Sequence, residues 1–269
     1  MCVAGLQETQ NIEQVKYMKT LMVVKFGGSL TKSPLAQSKF LEELALISRK
    51  QNIILVHGGG PEVNALLEKF AMESKFVDGL RFTDADTLGI VEMALSGKVN
   101  RVLTTGLIKN GANAVGISGK DGKSVVCRQV ERLGFVGEPV KINRKLIDIL
   151  IKAGFLPVIA SIAADAEGNV VNVNADTLAA SIAAAFKAQK LIFLTDVAGV
   201  LDKNKNTIKE IKIEEINSLI KDETITGGMI PKIRGCAESV KKGVKEVWIA
   251  EGISGIQKIN GTVIKKRDR

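Results

Sequence analysis

The amino-acid sequence predicts an α/β fold with a mainly parallel central sheet that is covered by helices on both faces. Short runs rich in Val, Ile and Leu, typical of strands buried on both sides, alternate with longer segments whose apolar residues recur every three or four positions. The alternation continues along all 269 residues, enough chain to bury one large core or two smaller ones. Such strand–helix–strand repetition is the pattern of a parallel α/β sheet.

The predicted elements follow one another in a regular order. Six apolar runs are predicted to be strands of the parallel sheet: 21–25, 53–57, 114–117, 157–161, 191–195 and 246–250. Four segments are predicted to be helices: 61–76, 84–110, 143–153 and 177–188. Antiparallel structure is expected where a hairpin-like segment covers 125–140 and where a turn at 165–168 precedes an extended segment at 170–173.

The chain contains no linker rich in Pro, Gly or Ser, so two lobes that share one sheet are expected rather than two separate domains. The weakest point between the lobes lies near 186–190, which divides the chain into residues 18–186 and 187–269. Residues 1–17 are polar and lack the basic start and apolar stretch of a signal peptide. We expect these residues to form a dispensable arm, either a short helix or disordered.

Residue counts exclude several classes of protein. The single histidine, His57, cannot build a multi-histidine metal site, and no stretch approaches the roughly 20 apolar residues of a membrane span. Cys2, Cys127 and Cys236 are odd in number and include no CxxC pair, which excludes a disulfide framework or zinc ribbon and favours a reducing cytoplasm. Catalysis must therefore depend on Lys, Arg, Asp, Asn and the backbone, with no metal held by protein ligands.

The net charge of +9 raises the question of nucleic-acid binding. The lysines are scattered along helical faces among acidic residues, and one Tyr and one Trp are too few to stack bases between basic side chains. We therefore expect no nucleic-acid partner. Small acidic substrates account for the basic balance at least as well.

Glycine clusters follow several strands, and there a backbone without Cβ atoms leaves N–H groups open to an anion. The segment Lys25–Ser29 reads KFGGS, His57–Pro61 reads HGGGP, and Thr226–Lys232 reads TGGMIPK. The sequence has no GxxxxGK[ST] motif and no protein-kinase signature. His57 is expected to begin the second turn as a structural group beside a phosphate site and not to act as a base.

A polar group lies in VNVNAD, the segment Val171–Asp176. In an extended chain, alternation places Asn172, Asn174 and Asp176 on one face. Such a face predicts contact with a ligand or with lysines. A second interpretation stays open, in which Asp176 is the N-cap of the following apolar helix.

These motifs occur together with five others, and as a set they resemble the amino acid kinase family. The further motifs are GLRFTD at 79–84, SGKVN at 96–100, GISGKDG at 116–122, GFVGE at 134–138 and LTDVAGVL at 194–201, and HGGGP extends to HGGGPEVN at 57–64. The resemblance runs in order from about residue 18 to 264 and implies a three-layer αβα sandwich. It also implies an N-lobe, 18–186, for an acylated amino acid and for homodimer formation, and a C-lobe, 187–269, for ATP.

Within the family, the set is most similar to members that transfer the γ-phosphoryl group of ATP to the side-chain carboxylate of N-acetyl-L-glutamate, the second step of arginine biosynthesis. Mg²⁺ would be bound mainly through the nucleotide phosphates. A carboxylate is already ionised at neutral pH, so this reaction needs no general base, which agrees with a chain that has one histidine. Bringing two anions together needs cations and backbone N–H groups instead.

The resemblance implies roles for individual residues. Lys25 and Lys232 correspond to stabilisers of the transition state, and Asp176 to the carboxylate that holds both lysines. Substrate-binding positions are Gly59, Gly60, Arg81 and Asn172, with Arg81 on the α-carboxylate. Phosphate- and nucleotide-binding positions are Gly27, Gly28, Asp196, Gly199, Val200, Leu201 and Thr226.

Alternatives from the same family and from outside it stay open. A kinase of carrier-protein-linked aminoadipate or glutamate would use a basic surface to receive an acidic carrier, and a catalytically silent amino-acid sensor would act through partners. The presence of Lys25, Asp176 and Lys232 together favours an enzyme over a sensor. The short arm and the short segment 252–260 favour an arginine-insensitive homodimer over a hexamer, and Ala163-Ala164 replaces a frequent glycine-containing pair near the acyl pocket.

Overall fold

The computed structural model describes residues 20–27, 33–251 and 259–267. The helices are α1 (Pro34–Ser48), α2 (Gly60–Lys69), α3 (Ala85–Glu92), a π-helical segment (Met93–Val99), α4 (Asn100–Lys109), α5 (Lys145–Lys152), α6 (Ala175–Ala185), α7 (Ile216–Lys221) and α8 (Met229–Lys241). The strands are β1 (Leu21–Phe26), β2 (Asn52–His57), β3 (Phe76–Val77), β4 (Leu80–Arg81), β5 (Ala114–Ser118), β6 (Val125–Gln129), β7 (Val136–Ile142), β8 (Leu156–Ala160), β9 (Ile162–Asp165), β10 (Val170–Val173), β11 (Lys190–Thr195), β12 (Glu210–Lys212), β13 (Glu246–Glu251) and β14 (Gly261–Lys265).

The central sheet has eight strands in the order β12-β14-β13-β11-β1-β2-β8-β5. The six strands predicted from the sequence are all present, and each pairs in parallel with its neighbour in this group. β14 is antiparallel to β13 and forms, with β12, one end of the sheet. β1 lies at the centre, where Lys25 is in register with Val56 of β2 and Phe193 of β11.

Successive side chains of the central strands point to opposite faces, and helices cover both. Val23 packs into a cluster with Leu178 and Ile182 of α6 and residues of α5 and α8. Met22 and Val24 pack into a second cluster with the side chains of α1 and α4. Each such buried aliphatic side chain contributes about 1.5–3 kcal/mol relative to exposure. The predicted three-layer αβα sandwich is confirmed.

The antiparallel part of the molecule is a small closed barrel of β6, β7, β9 and β10. The predicted hairpin at 125–140 is the β6–β7 pair, and the predicted turn at 165–168 joins β9 to β10. Closure of these four strands was not predicted, because the parallel β6–β9 and β7–β10 pairs join segments distant in the sequence. The barrel holds Asn172 beside a cavity described below.

Two helix predictions need correction. The helix predicted at 61–76 ends at Lys69, because Ala71 adopts a left-handed φ of +54° and the chain continues into the β3–β4 hairpin. This hairpin turns at Asp78 and Gly79, whose positive φ values of +51° and +76° suit a tight two-residue turn. The helix predicted at 84–110 is interrupted by the π-helical segment, in which the Asn100 N–H donates to Leu95 O, five residues earlier.

The predicted division near 186–190 falls between α6 and β11. β1 and β11 pair across it, so the sheet is continuous through this point. The functional division into an N-lobe and a C-lobe remains a prediction. Among the described residues, no helix combines the length and apolar character needed to cross a membrane.

Candidate active site

Lys25 lies at the carboxyl end of β1, in the middle of the sheet. Its side chain is 16% exposed, and its ammonium nitrogen is 3.1 Å from Oδ1 of Asp176. The side chain folds back over Gly27, where a Cβ atom would collide with the ammonium group. A glycine at position 27 therefore allows Lys25 to turn toward Asp176.

Asp176 belongs to the first turn of α6. The N-cap is Asn174, whose Oδ1 accepts hydrogen bonds from the N–H groups of Asp176 at 2.9 Å and Thr177 at 3.0 Å. The interpretation of Asp176 as the N-cap is wrong for this reason. The prediction that Asn172, Asn174 and Asp176 share one face of an extended segment is also wrong for Asp176. The strand β10 ends at Val173, and Asp176 is helical.

The position of Asp176 stabilises its negative charge in two ways. The first turn of a helix carries partial positive charge. Oδ1 is buried without a hydrogen-bond partner among the described residues, so the Lys25 ammonium supplies the compensating charge.

Lys232 reaches the same region from the first turns of α8. It lines a cavity of about 420 Å³ together with Asp176. Its Nζ donates to Thr195 Oγ1 at the end of β11, at 3.3 Å. The expectation that Asp176 holds both lysines is therefore met only by Lys25, because Lys232 has Thr195 as its partner.

The predicted substrate-binding residues come together in another cavity of about 180 Å³. Its lining includes Gly59 and Gly60 at the start of α2, Arg81 of β4 and Asn172 of β10. Asn172 donates to Thr83 Oγ1 at 3.2 Å, which fixes its amide.

Arg81 is held by three neighbours. Its guanidinium donates to Ser74 Oγ and to Asn64 Oδ1, the latter at 2.6 Å, and its central carbon lies 4.8 Å from the centroid of the Phe76 ring. Partial burial lowers the pKa of Arg81 from its ordinary value, and the group stays charged. A fork oriented in this way is suited to binding a carboxylate.

The predicted nucleotide-binding residues Gly199, Val200, Leu201 and Thr226 line a third cavity of about 400 Å³ near the start of α8. Gly199 has a φ of +144°, and a Cβ there would approach Thr207 Cγ2 and Thr262 Oγ1 to 2.7 Å each. Thr262 Oγ1 accepts a hydrogen bond from the Val200 N–H at 2.7 Å, which anchors the loop. These backbone restraints suit a loop that closely approaches a ligand.

Two of the residues predicted to bind phosphate or nucleotide, Asp196 and Gly28, are not among the described residues that line the third cavity. Asp196 follows β11 and precedes the loop, outside the residues that line the third cavity. Gly28 lies outside the described residues, as does the arm at 1–17.

His57 is fully buried at the end of β2. Its Nδ1 is 2.8 Å from Gly58 O, and its Nε2 is 3.0 Å from Nδ2 of Asn100. Burial is the main reason that its pKa falls from 6.5 to about 4, with a smaller contribution from the nearby Arg101 charge. The ring is therefore neutral at pH 7 and its nitrogens are occupied by structural partners.

Several residues of the site escaped the sequence reasoning. Asn64 and Asn100 lie in HGGGPEVN and SGKVN, which marked the segments without giving these amides a role. Thr195 lies in LTDVAGVL, which likewise gave it no role of its own, and Ser74 lies in none of the motifs. Their roles depend on the β3–β4 hairpin and on the packing of α8 against the end of β11.

Glycine turns, two lysines and a carboxylate around the carboxyl edge of a parallel sheet define a site for bringing anions together, the class to which phosphoryl-transfer enzymes belong. The model of the amino acid kinase family matches residues 20–251. The chain belongs to the amino acid kinase family.

Individual relatives agree with this assignment. The chain is 86% identical over 249 residues to a protein named acetylglutamate kinase from Endomicrobium trichonymphae, a match that covers 93% of this chain and 100% of that relative. It is 44% identical over 252 residues to an acetylglutamate kinase from Agrobacterium fabrum, covering 88% and 86% of the two chains. The crystal structure of smu.665 from Streptococcus mutans UA159 superposes with a TM-score of 0.76 at 31% identity, covering 93% of this chain and 100% of that one.

Proposed function

We propose that the chain is an ATP-dependent kinase that phosphorylates the side-chain carboxylate of N-acetyl-L-glutamate, giving N-acetyl-L-glutamyl 5-phosphate and ADP in the second step of arginine biosynthesis. The observation that carries the proposal is the Lys25–Asp176 ion pair at the centre of the sheet, with Lys232 lining the cavity that Asp176 also lines. The 86% identity to a protein named acetylglutamate kinase supports the choice of acceptor.

In the proposed reaction a carboxylate oxygen attacks the γ-phosphorus of ATP. A new bond forms between that oxygen and phosphorus, the bond from phosphorus to the β,γ-bridging oxygen breaks, and its electron pair leaves with ADP. No proton moves, because a carboxylate is ionised at neutral pH. The enzyme must position two anions and stabilise charge on the transferring group, which Lys25 and Lys232 do as cations.

Mg²⁺ would neutralise charge on the nucleotide phosphates. In the described part of the chain, no group of three or more His, Cys, Asp or Glu side chains is arranged to hold a metal ion. The donor set of the site consists mainly of lysines and backbone N–H groups, which bind phosphate oxygens and not a cation. We therefore assign Mg²⁺ to the nucleotide phosphates, with any protein contact secondary.

The cavities divide the two substrates between them. The Arg81 fork binds the acceptor α-carboxylate, Asn172 assists it, and the amides of Gly59 and Gly60 face the reacting end. The loop containing Gly199 binds the nucleotide together with Thr226 and Asp196, and Gly28 is assigned to the phosphates from the sequence alone. This assignment places the acceptor in residues 18–186 and ATP in residues 187–269.

An assay of ADP release with MgATP tests the acceptor directly. We expect turnover on N-acetyl-L-glutamate well above that on glutamate, aspartate or α-aminoadipate. The net charge of +9 keeps a second candidate, a kinase of carrier-protein-linked aminoadipate or glutamate, so the panel includes these amino acids attached to an acidic peptide. Turnover on a peptide-linked acid without turnover on free N-acetyl-L-glutamate would replace the first function with the second.

We also propose a cytoplasmic homodimer that forms through the N-lobe and is insensitive to arginine. Leu35 of α1 and Val102 and Ile108 of α4 are apolar and each more than half exposed, which supports an interface on this face. Light scattering should give a dimer mass, unchanged by deletion of residues 1–17. A monomer mass would contradict the interface.

A further inference from the structure

Three consecutive glycines between β2 and α2 create a problem of orientation. A peptide between two glycines has no Cβ atoms to restrict it, so its plane can rotate at little cost. The proposed reaction nevertheless requires the Gly59 N–H to point toward the reacting groups. Something outside the glycine turn must fix the peptide that joins Gly58 to Gly59.

The structure supplies that restraint through His57. A carbonyl oxygen can only accept a hydrogen bond, so the 2.8 Å contact with Gly58 O requires the proton of the neutral ring to be on Nδ1. In a trans peptide the carbonyl and the following N–H point in opposite directions, and the described residues contain no cis peptide. Holding Gly58 O against the His57 ring therefore turns the Gly59 N–H away from it.

Asn100 holds the ring in this state. Its Nδ2 lies 3.0 Å from His57 Nε2, 2.9 Å from Val158 O and 3.2 Å from Ile117 O. The two carbonyls identify this atom as the amide nitrogen, which can only donate. Nε2 must therefore accept, which again places the ring proton on Nδ1.

The π-helical segment brings Asn100 to this position. Its residues Leu95 and Val99 pack against Gly59 so closely that a Cβ there would lie 2.8 Å from Leu95 Cδ2 and 3.0 Å from Val99 Cγ2. Asn100 follows directly, is fully buried, and occupies space left free by the missing side chain of Gly116. The π-helical segment thus packs directly against Gly59, and Asn100, which follows it, contacts the His57 ring that holds Gly58 O.

We propose that Asn100 and His57 are positioning residues for the phosphoryl-transfer site, which act by fixing the Gly58 carbonyl and, through it, the Gly59 N–H. Both side chains are fully buried, so each acts through the glycine turn. The proposal rests on the proposed function for its effect on rate, while its structural part stands independently. It gives the single histidine of the chain a defined task in a reaction that uses no base.

Two amide variants of His57 separate this role from a general structural one. In His57→Asn the side-chain nitrogen takes the place of Nδ1 and can still donate to Gly58 O, whereas in His57→Gln it takes the place of Nε2 and cannot. We expect kcat of His57→Asn to exceed that of His57→Gln by roughly tenfold or more, with similar melting temperatures and with KM for ATP within about twofold. Equal losses in both variants, or the reverse order, would overturn the proposal.

The tautomer is measured without any activity. Because the chain has one histidine, ¹⁵N-histidine labelling gives the nitrogens of a single ring, and their couplings to the two ring C–H protons tell Nδ1 from Nε2. At pH 7 we expect one protonated nitrogen, Nδ1, and one unprotonated nitrogen, Nε2. In Asn100→Asp, whose carboxylate accepts from Nε2, both nitrogens should be protonated, while the control Asn110→Asp, at the C-cap of the same helix, should leave the spectrum unchanged. A protonated Nε2 in the unmodified protein would contradict the proposal.

Glycine amides provide the remaining readout. With ¹⁵N-glycine labelling, the amides of the turn should shift in His57→Gln and stay near their original positions in His57→Asn. If the unmodified protein releases no ADP with N-acetyl-L-glutamate, the proposed function fails, and these spectra still decide whether the turn is fixed through His57. Identical glycine spectra in both variants would overturn the positioning role.

Discussion

At the residue scale, the proposed chemistry depends on where individual charged and polar groups lie. Lys25 and Lys232 come from distant parts of the sequence, and the end of the central strands brings them to the same region with Asp176. Lys25 and two glycine turns were identifiable in the sequence because they accompany strand ends, and Lys232 because it follows a glycine pair. The hydrogen-bond partners of these residues were not identifiable. Asn174, and not Asp176, is the N-cap of α6, and Lys232 donates to Thr195 because of tertiary packing that no local sequence pattern encodes.

Lys232→Ala tests the residue scale. We expect kcat to fall roughly 10²–10³-fold, as for removal of one charge stabiliser in a transition state, with little change in melting temperature. Lys241→Ala is the matched control, because this lysine lies on the same helix and pairs with Glu238 at the exposed surface. Steady-state kinetics and thermal denaturation of both variants check the prediction, and a large loss of stability with a modest effect on kcat would make Lys232 a structural residue.

At the scale of elements, the parallel strands could be anticipated better than the details of the helices. The six parallel strands agree with their predicted bounds to within one residue at each end, because continuous apolar runs mark them in the sequence. The π-helical segment 93–99 was not predictable, because it extends over only seven residues inside a longer helical stretch, too few for a change in apolar periodicity to be recognised. The barrel also escaped prediction, since its closure depends on pairs between distant strands.

Gly59→Ala tests the contact between the π-helical segment and the glycine turn. The new methyl group would meet Leu95 and Val99 at 2.8 and 3.0 Å, so the turn or the segment must shift. We expect a loss of about 1–3 kcal/mol in the free energy of unfolding and a large fall in kcat. Gly89→Ala in α3 is the control, because a Cβ there meets nothing within 4 Å and replacing a helical glycine stabilises by up to about 1 kcal/mol. Urea denaturation measures the free energy of unfolding of both variants. Equal stability of the two would contradict the close packing of Leu95 and Val99 against Gly59.

At the scale of the whole molecule, composition and charge anticipated the kind of chemistry. A chain with one histidine and a net charge of +9 suits a reaction that needs cations and no base. Between pH 5.5 and 7 most carboxylates are already ionised, and the imidazole of His57 in the unfolded chain is the side chain expected to titrate. Global stability can therefore report on one buried ring.

The pH dependence of unfolding tests the burial of His57. Its pKa is about 4 in the folded protein and 6.5 in the unfolded chain, so the unfolded state binds a proton first as the pH falls. Stability is therefore complete above pH 6.5 and decreases as the pH falls toward 4, by about 1 kcal/mol between pH 7.0 and 5.5. Urea denaturation at the two values should show this decrease, and His57→Asn should lack it. Equal decreases in both proteins would contradict a buried neutral ring.

The measurement that tests the central claim most directly is the trapping of the acyl phosphate with hydroxylamine. With MgATP and N-acetyl-L-glutamate, we predict that N-acetyl-L-glutamyl hydroxamate forms in step with ADP, because the phosphoryl group is transferred to the side-chain carboxylate. Lys232→Ala should reduce both products together. Release of ADP without hydroxamate would mean that water accepts the phosphoryl group, and would contradict the proposed reaction.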